Sequence, residues 1–345
     1  MGTPLVLGIL GVQNTGATEP GVALATILRR RHGREIVIVG IGTYALCPAA
    51  ALGRIFNEIW LLGDVTELPD RVRERIEEEI GWHPLDFVIP GLDAEVFHVT
   101  SFQKVLRDLG VRALVPAEEY VVAVSKPVLG NAGSTLPFEF AETRVVLDRD
   151  ALKRVGCPIV IKGPVCDSYV VGSFDEAVVA FDRIEAIWGL PAITQEYLEG
   201  DEYAICVLAG PKPGMLAGAV AIKKMGITEK GKTWLATTIE NGELTDIARV
   251  VVRHFNWLGP MEIELRLVPG RGFVVFEINP RFPAWLGWLD DDDYGMGHLF
   301  LDLLLGQEPR KLTVPSGRVG IRVNRYVTFP MTTAIQLAST GHVEL

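Results

Sequence analysis

The sequence predicts a chain of mixed architecture, α/β at its start and α+β beyond. Three stretches carry that expectation. Residues 4–41 run strand, Gly-rich loop, helix, strand, which is how an open parallel α/β sheet begins. Residues 148–188 hold a strand ending in a lysine, a loop and a capped helix, a compact α+β unit. Residues 259–288, GPMEIELRLVPGRGFVVFEINPRFPAWLGW, hold two strands around a Gly-rich turn.

Residues 4–10 are an apolar strand, 11–21 a Gly-rich loop, 22–31 a helix and 35–41 (EIVIVGI) a second buried strand. The loop lacks G-x-G-x-x-G spacing and no acid ends the second strand, so a dinucleotide site is weakly supported. A third strand is expected at 59–62 and a charged amphipathic helix at 69–80. The strand beginning at Phe87 ends in Asp93 and Glu95, at the end of a strand where open α/β sheets bind ligands. Asp93 reads equally well as a helix N-cap, with one helix over 96–109. Gly, Pro and Ser gather in SKPVLGNAGSTLP, so the first domain is expected to end near Pro116–Pro137. Beyond it come a short helix at 148–155 and a strand, PIVIK, ending in Lys162. The loop 163–168 leads to a helix over 173–188, opened by Ser173 with Glu176 three residues on, a capping box. Strands follow at 192–197, 202–208 and 217–225, a turn at 228–232, a helix within 242–257, a helix at 299–305 and a closing strand at 319–327.

The chain has 345 residues, 48% hydrophobic and 22% charged, with a net charge of −10. That balance argues against nucleic acid or an anionic membrane as partner. No apolar run reaches the ~20 residues of a membrane span. Cys47, Cys157, Cys166 and Cys206 lack C-x-x-C spacing, and the six histidines are dispersed. A disulfide framework and a zinc site are both poorly supported, and a reducing cytoplasm fits.

The chemistry concentrates in the last of the three stretches. Alternation puts Glu262, Glu264 and Arg266 on one side of its first strand, and Glu277 with Asn279 on one side of its second. Acids facing each other across a hairpin repel. A divalent cation relieves this, and carboxylate, carboxylate and amide are hard ligands that suit Mg²⁺ bridging to phosphates. A solvated edge hairpin is the alternative. Upstream stand Lys162 at a strand end, then Gln195-Glu196-Tyr197-Leu198 with Glu202 just beyond, then Lys223 and Lys224, of which only one can point inward.

This order resembles the ATP-grasp superfamily, in its carbamoyl-phosphate-synthase-like, carboxylate–amine ligase branch. FEINPRF (276–282) is similar to the family's E-x-N-P-R element, and QEYLEGDE to its adenine-clasping strand. The resemblance implies an N-terminal open parallel α/β (pre-ATP-grasp) domain over 1–120. A two-lobed ATP-grasp fold would follow, with a small lid subdomain at 121–192 and a large subdomain with the Mg²⁺ hairpin at 193–345.

It also implies roles. Glu264, Glu277 and Asn279 would bind Mg²⁺, with Glu262 in reserve, as one or two ions for which Mn²⁺ substitutes. Lys126 and Lys162 would contact the nucleotide, with Ser168 beside the phosphates. Glu196 and Leu198 would hold adenine through their backbone and Glu202 the ribose, and Gln195 stands where relatives carry Glu. Lys223 or Lys224 would meet the outer phosphates, and Arg281 the transferring phosphoryl group. The implied reaction is ATP-dependent C–N bond formation between a small-molecule carboxylate and an amine, through an acyl-phosphate, in a cytoplasmic protein, with a homodimer the family's suggestion. The loop GPVCDSYVV departs from the family in having few glycines, which favours the alternative of a nucleotide-binding protein with weak or no ligase activity. Asp290–Asp293 is a candidate for recognising a basic amine, or else a solvated loop.

Overall fold

The computed structural model describes residues 4–13, 19–32, 35–44, 54–62, 69–82, 84–164, 167–228, 231–290, 293–322 and 331–344. Strands β1 (Leu5–Ile9), β2 (Ile36–Gly42), β3 (Glu58–Leu61) and β4 (Phe87–Ile89) are short and mostly apolar, as strands covered on both faces must be. They pair in parallel in the order β3-β2-β1-β4. Helices α1 (Pro20–His32) and α2 (Pro69–Trp82) lie between them in the chain, as parallel pairing requires. The strand order reverses between β1 and β4, so a crevice opens at their carboxyl ends. Gly11 and Gly91 meet there: a Cβ on Gly11 would lie 2.8 Å from the Cα of Gly91. Glu95 fastens the two loops, accepting from the N–H groups of Gly11 (3.0 Å), Gly91 (2.9 Å) and Leu92 (2.9 Å).

Helices α3 (Asp93–Ser101), α4 (Gln103–Asp108), α5 (Glu118–Val124) and α6 (Lys126–Ala132) lead out of this sheet. The lid follows. It is a four-stranded sheet, ordered β5-β8-β6-β7, from β5 (Thr143–Val146), β6 (Ile159–Lys162), β7 (Ser168–Val171) and β8 (Ala192–Glu196), with α7 (Arg149–Leu152) and α8 (Phe174–Trp188). Buried Val146, Ile159, Ile161, Phe181 and Ile184 give it a core of its own.

The third sheet is antiparallel. It contains β9 (Asp201–Ala209), β10 (Leu216–Ile227), β11 (Thr233–Ile239), then, after α9 (Gly242–His254), β12 (Gly259–Val268) and β13 (Gly272–Asn279). Past α10 (Leu286–Leu289) and α11 (Met296–Leu304), β14 (Val319–Ile321) closes the order β13-β12-β9-β10-β11-β14. Alternation along β9 splits its side chains between two cores. Tyr203, Ile205 and Val207 pack with α9, whereas Ala204, Cys206 and Leu208 pack with α1, α10 and α11. Finally α12 (Met331–Thr340) leads to β15 (His342–Glu344), which pairs antiparallel with β3 at the edge of the first sheet. Among the described residues no helix is long and apolar enough to cross a membrane.

Several expectations need correction. SKPVLGNAGSTLP is helical from Lys126 to Ala132, because Ser125 precedes the first turn and Pro127, sitting within it, starts a helix without harm. Residues 118–124 are helical too. The helix expected over 96–109 breaks at Phe102, and Asp93 is its first residue rather than its N-cap, which is Leu92. The sequence reading assigned no strand at Thr143–Val146, Thr233–Ile239 or His342–Glu344. The closing strand is three residues long, and 323–330 lie outside the described residues. The capping box at Ser173 is real in one half: Ser173 accepts from the N–H of Glu176, but the Glu176 carboxylate accepts from Gly172.

Candidate functional site

The hairpin β12–β13 sets the geometry. Its register places Glu264 opposite Glu277 and Glu262 opposite Asn279, and a bulge follows directly after Glu264. All four point to the side of the sheet where the lid and the first sheet's loops approach. Ala141, in the segment just before β5, donates to the carbonyl of Val275 (2.8 Å), and Val275 donates to Glu139 (2.9 Å), so this segment is stitched to the hairpin.

The charges then pair in series. Glu277 faces the lid, with Lys162 Nζ 3.1 Å from Oε2 and Lys126 Nζ 3.5 Å from Oε1. Lys162 is buried and lies 5.2 Å over the ring of Phe276. Glu264 pairs with Lys224, which also reaches Glu202 at 2.7 Å. Glu202 in turn accepts from Arg266 (2.9 Å). Asn279 donates to Glu264 (3.0 Å) and Glu262 (3.2 Å). Glu262 also takes Arg281 at 2.7 Å and the indole N–H of Trp285 at 2.8 Å. Arg281 reaches Asp93 of the first sheet's loop at 3.1 Å. Five carboxylates (Asp93, Glu202, Glu262, Glu264 and Glu277) thus alternate with five cations (Lys126, Lys162, Lys224, Arg266 and Arg281).

Burial and charge set the protonation. Burial alone raises Glu277, but the ammonium groups of Lys126 and Lys162 outweigh it and hold the carboxyl well below its usual range. Burial also raises Glu264, and although Lys224 lowers it, burial together with the neighbouring Glu262, Glu277 and Glu202 leaves the carboxyl pushed up to about 7. Burial would lower Lys224, yet the carboxylates around it keep it firmly charged. Lys224 stays an ammonium, and the cost of burial falls on Glu264.

Of the expected site residues, the structure brings Lys126, Lys162, Lys224, Glu202, Glu264, Glu277, Asn279 and Arg281 together. Lys223 is outside the group, since alternation turns it outward to Asp201. Gln195 is buried and commits its amide nitrogen to Thr143 Oγ1 and the carbonyl of Phe276, both at 2.9 Å. Together with Lys126, Lys162 and Phe276 these two line a narrow cleft between lid and hairpin. Glu196 sends its side chain to Arg271 and the N–H of Glu142, while the carbonyl of Leu198 accepts from Arg266 (2.7 Å). Ser168 is exposed, opposite Lys162 in the lid sheet. Beyond Lys162, the carbonyl of Asp167 accepts from Gly163 N (3.0 Å) and its side chain accepts from Trp188 (3.0 Å), while 165–166 lie outside the described residues.

Asp290 is not available to a substrate. It is buried and caps α11, accepting from the N–H groups of Met296 (2.7 Å) and Gly297 (3.2 Å). Asp291 and Asp292 lie outside the described residues, and Asp293 is exposed. Sequence reasoning missed Arg266 as a partner of Glu202, Trp285 as a partner of Glu262, and Asp93 as a partner of Arg281. All three join residues more than twenty positions apart, Arg266 and Glu202 by 64 and Trp285 and Glu262 by 23, and leave no local signal.

Among the described residues no three His, Cys, Asp or Glu side chains form a ready metal cage. The donor set nevertheless fits Mg²⁺: two carboxylates on paired strands and an amide, all hard oxygen ligands, with Glu264 raised by burial first and by its acidic neighbours after. A shallow groove near Gly200, Pro269 and Gly270, behind the hairpin turn, holds none of these cations.

Comparison with known proteins agrees with this layout. Residues 190–328 match the model of an ATP-grasp family described as "ATP-grasp in the biosynthetic pathway with Ter operon". No curated protein matches the sequence significantly. Solved structures do resemble it. The biotin carboxylase domain of Hydrogenobacter thermophilus 2-oxoglutarate carboxylase, in complex with MgADP and bicarbonate, superposes with a TM-score of 0.66 at 12% identity, over 91% of this chain and 73% of that one. An L-amino acid ligase from Bacillus licheniformis gives 0.66 at 13%, over 88% and 75%. N5-carboxyaminoimidazole ribonucleotide synthetase from Thermus thermophilus gives 0.63 at 16%, over 90% and 81%. With that likeness along most of the chain and a family match across the hairpin, this protein has the ATP-grasp fold.

Proposed function

We propose that the protein is an ATP-dependent carboxylate–amine ligase. The observation that carries this is the facing pair Glu264 and Glu277, with Asn279 beside them, each acid held by lysines from a different element. In this reading the lysines are place-holders. When ATP enters the cleft by Gln195 and Phe276, Lys126 and Lys162 leave Glu277 for phosphate oxygens, and Lys224 meets the outer phosphates. Glu196 and Leu198 hold the base, Glu202 the ribose, and Ser168 closes from the lid. Mg²⁺, as one or two ions held by Glu264, Glu277 and Asn279 and replaceable by Mn²⁺, supplies neutralisation of the phosphate charge.

The chain's work is then positioning and charge compensation. A substrate carboxylate oxygen attacks the γ-phosphorus, the bond to ADP breaks, and an acyl-phosphate forms against Arg281. The amine nitrogen attacks the acyl carbon, phosphate leaves with the C–O bond's electrons, and the nitrogen gives up a proton. The substrates are a small carboxylate and a small amine, in a cytoplasmic, homodimeric protein with lid (121–192) and large (193–345) subdomains behind a first domain at 1–120. The test is ADP formation across a screen of carboxylate and amine pairs. Glu277→Gln is expected to lower ADP formation by ~10²–10³ with an unchanged circular-dichroism spectrum. Full turnover in that variant would remove the site assignment.

One observation favours a second reading. After Lys162, the N–H of Gly163 is given to the carbonyl of Asp167, and Asp167 is tied to Trp188, so this glycine N–H is not offered to phosphates. A protein that binds nucleotide without turning it over, under every substrate mixture, would fit that loop.

A further inference from the structure

We propose that Arg281 has one fixed and one exchangeable counter-ion: Glu262 anchors its guanidinium, and Asp93 keeps the place that an oxyanion of the substrate takes. The inference rests on the oxyanion role given to Arg281 above.

The two acids differ in every respect that matters for exchange. Glu262 is on the hairpin itself, its side chain is 6% exposed, and it accepts from three donors: Arg281, Asn279 and Trp285. A carboxylate so filled has little capacity left for a metal ion. It is better read as a positioning residue for Arg281 and Asn279. Withdrawing it would leave a largely buried guanidinium with Asp93 as its remaining acid.

Asp93 comes from the other side of the crevice, at the start of α3, and its side chain is 35% exposed although the Oδ1 facing Arg281 is buried. Its Oδ1 is 3.1 Å from Arg281 Nε, yet the two are not aligned for a hydrogen bond. The contact is Coulombic and unspecific in direction, the kind a better-shaped acceptor displaces. Arg prefers a bidentate oxyanion, carboxylate or phosphoryl, that matches its planar fork. Asp93 also has somewhere to go. It opens α3, a helix whose N-cap, Leu92, has no polar side chain, so a released carboxylate stays near a favourable helix N-terminus.

The consequence has opposite signs at the two acids. An acid that merely supports the fold weakens oxyanion binding when it is removed. An exchangeable place-holder competes with the oxyanion, so its removal strengthens binding. The measurement is calorimetric titration of the full chain with inorganic phosphate and, separately, with acetate. For phosphate, Asp93→Asn is expected to tighten binding about threefold or more, in line with the loss of a part-exposed ion pair. Glu262→Gln is expected to weaken it about tenfold or more, and Arg281→Met to abolish it. Tighter phosphate than acetate assigns the place to a phosphoryl group, and the reverse to the substrate carboxylate; either supports the exchange. Asp93→Asn with unchanged or weaker binding overturns it. Unchanged binding in Arg281→Met overturns both the exchange and the role of Arg281, which separates the two failures. Should Glu262→Gln not fold, Asp93→Asn decides alone.

Discussion

Lys223 and Lys224 are neighbours in sequence with opposite fates. Lys224 is enclosed by Glu202 and Glu264, and Lys223 sits on the open face with Asp201. Replacing Lys224 by Met leaves the largely buried Glu264 without its cation and Glu202 with Arg266 alone, and breaking such a pair costs about 3–5 kcal/mol. Lys223→Met disturbs an exposed pair and is expected to stay within about 1 kcal/mol. Urea unfolding of the two variants distinguishes them, and equal losses would contradict the burial difference. The sequence showed that one lysine of the two must face inward. It did not show which, because strand alternation fixes relative and not absolute orientation. Glu95 gives a pH test at the same scale. Burial raises its carboxyl to about 7 against an ordinary value of 4.5. The folded chain therefore holds this proton more tightly than the unfolded chain, and its contribution is lost as pH rises from about 4.5 through about 7. The loss is at most about 3 kcal/mol. Unfolding free energy measured at pH 5 and pH 8 is expected to fall more steeply in the native chain than in Glu95→Gln, and parallel slopes would refute the assignment.

Among the elements, the hairpin was the most legible, since period-two alternation and a Gly-rich turn specify its strands and the face its acids share, though not its register, which a bulge after Glu264 shifts. Helix α6 was the least legible. Gly, Pro and Ser usually punctuate structure, but here Pro127 is in a first turn, and the helix carries Lys126 to Glu277. The pairing of Asp93 with Arg281 spans elements far apart in the chain, and no local pattern encodes it. The approach to the hairpin depends on a glycine. Gly200, at the turn between β8 and β9, has φ +147, and a Cβ there would lie 2.1 Å from the carbonyl oxygen of Leu267. Gly200→Ala must therefore move β12 or the turn. A loss of at least about 1–3 kcal/mol is expected, from the left-handed backbone alone, read as a lower urea midpoint.

For the whole molecule, the question is where one folding unit ends. A first domain at 1–120 is the proposal from sequence. Yet α1 buries Leu24, Ile27 and Leu28 in a core that also holds Leu286, Leu289, Met296 and Phe300. A Cβ on Gly287 would sit 2.9 Å from that of Ala23, and Gly297 approaches Ile27 as closely, so these contacts are built for near-touching helices. A fragment of residues 1–120 is expected to melt without a cooperative transition, because it loses one wall of its core. A sharp melt from that fragment would show the first sheet to be self-sufficient.

Strand β15 adds a temporal consequence. It edges a sheet whose other strands all come from the first ninety or so residues, laying His342 against Trp60 and Glu344 against Glu58. During synthesis, β3 leaves the ribosome long before the strand that covers it. For that interval β3 offers unpaired N–H and C=O groups to any neighbouring nascent chain. The first part of the protein to be made is thus among the last to be sealed, and a truncated translation product lacking 342–344 would carry an open edge into the cell.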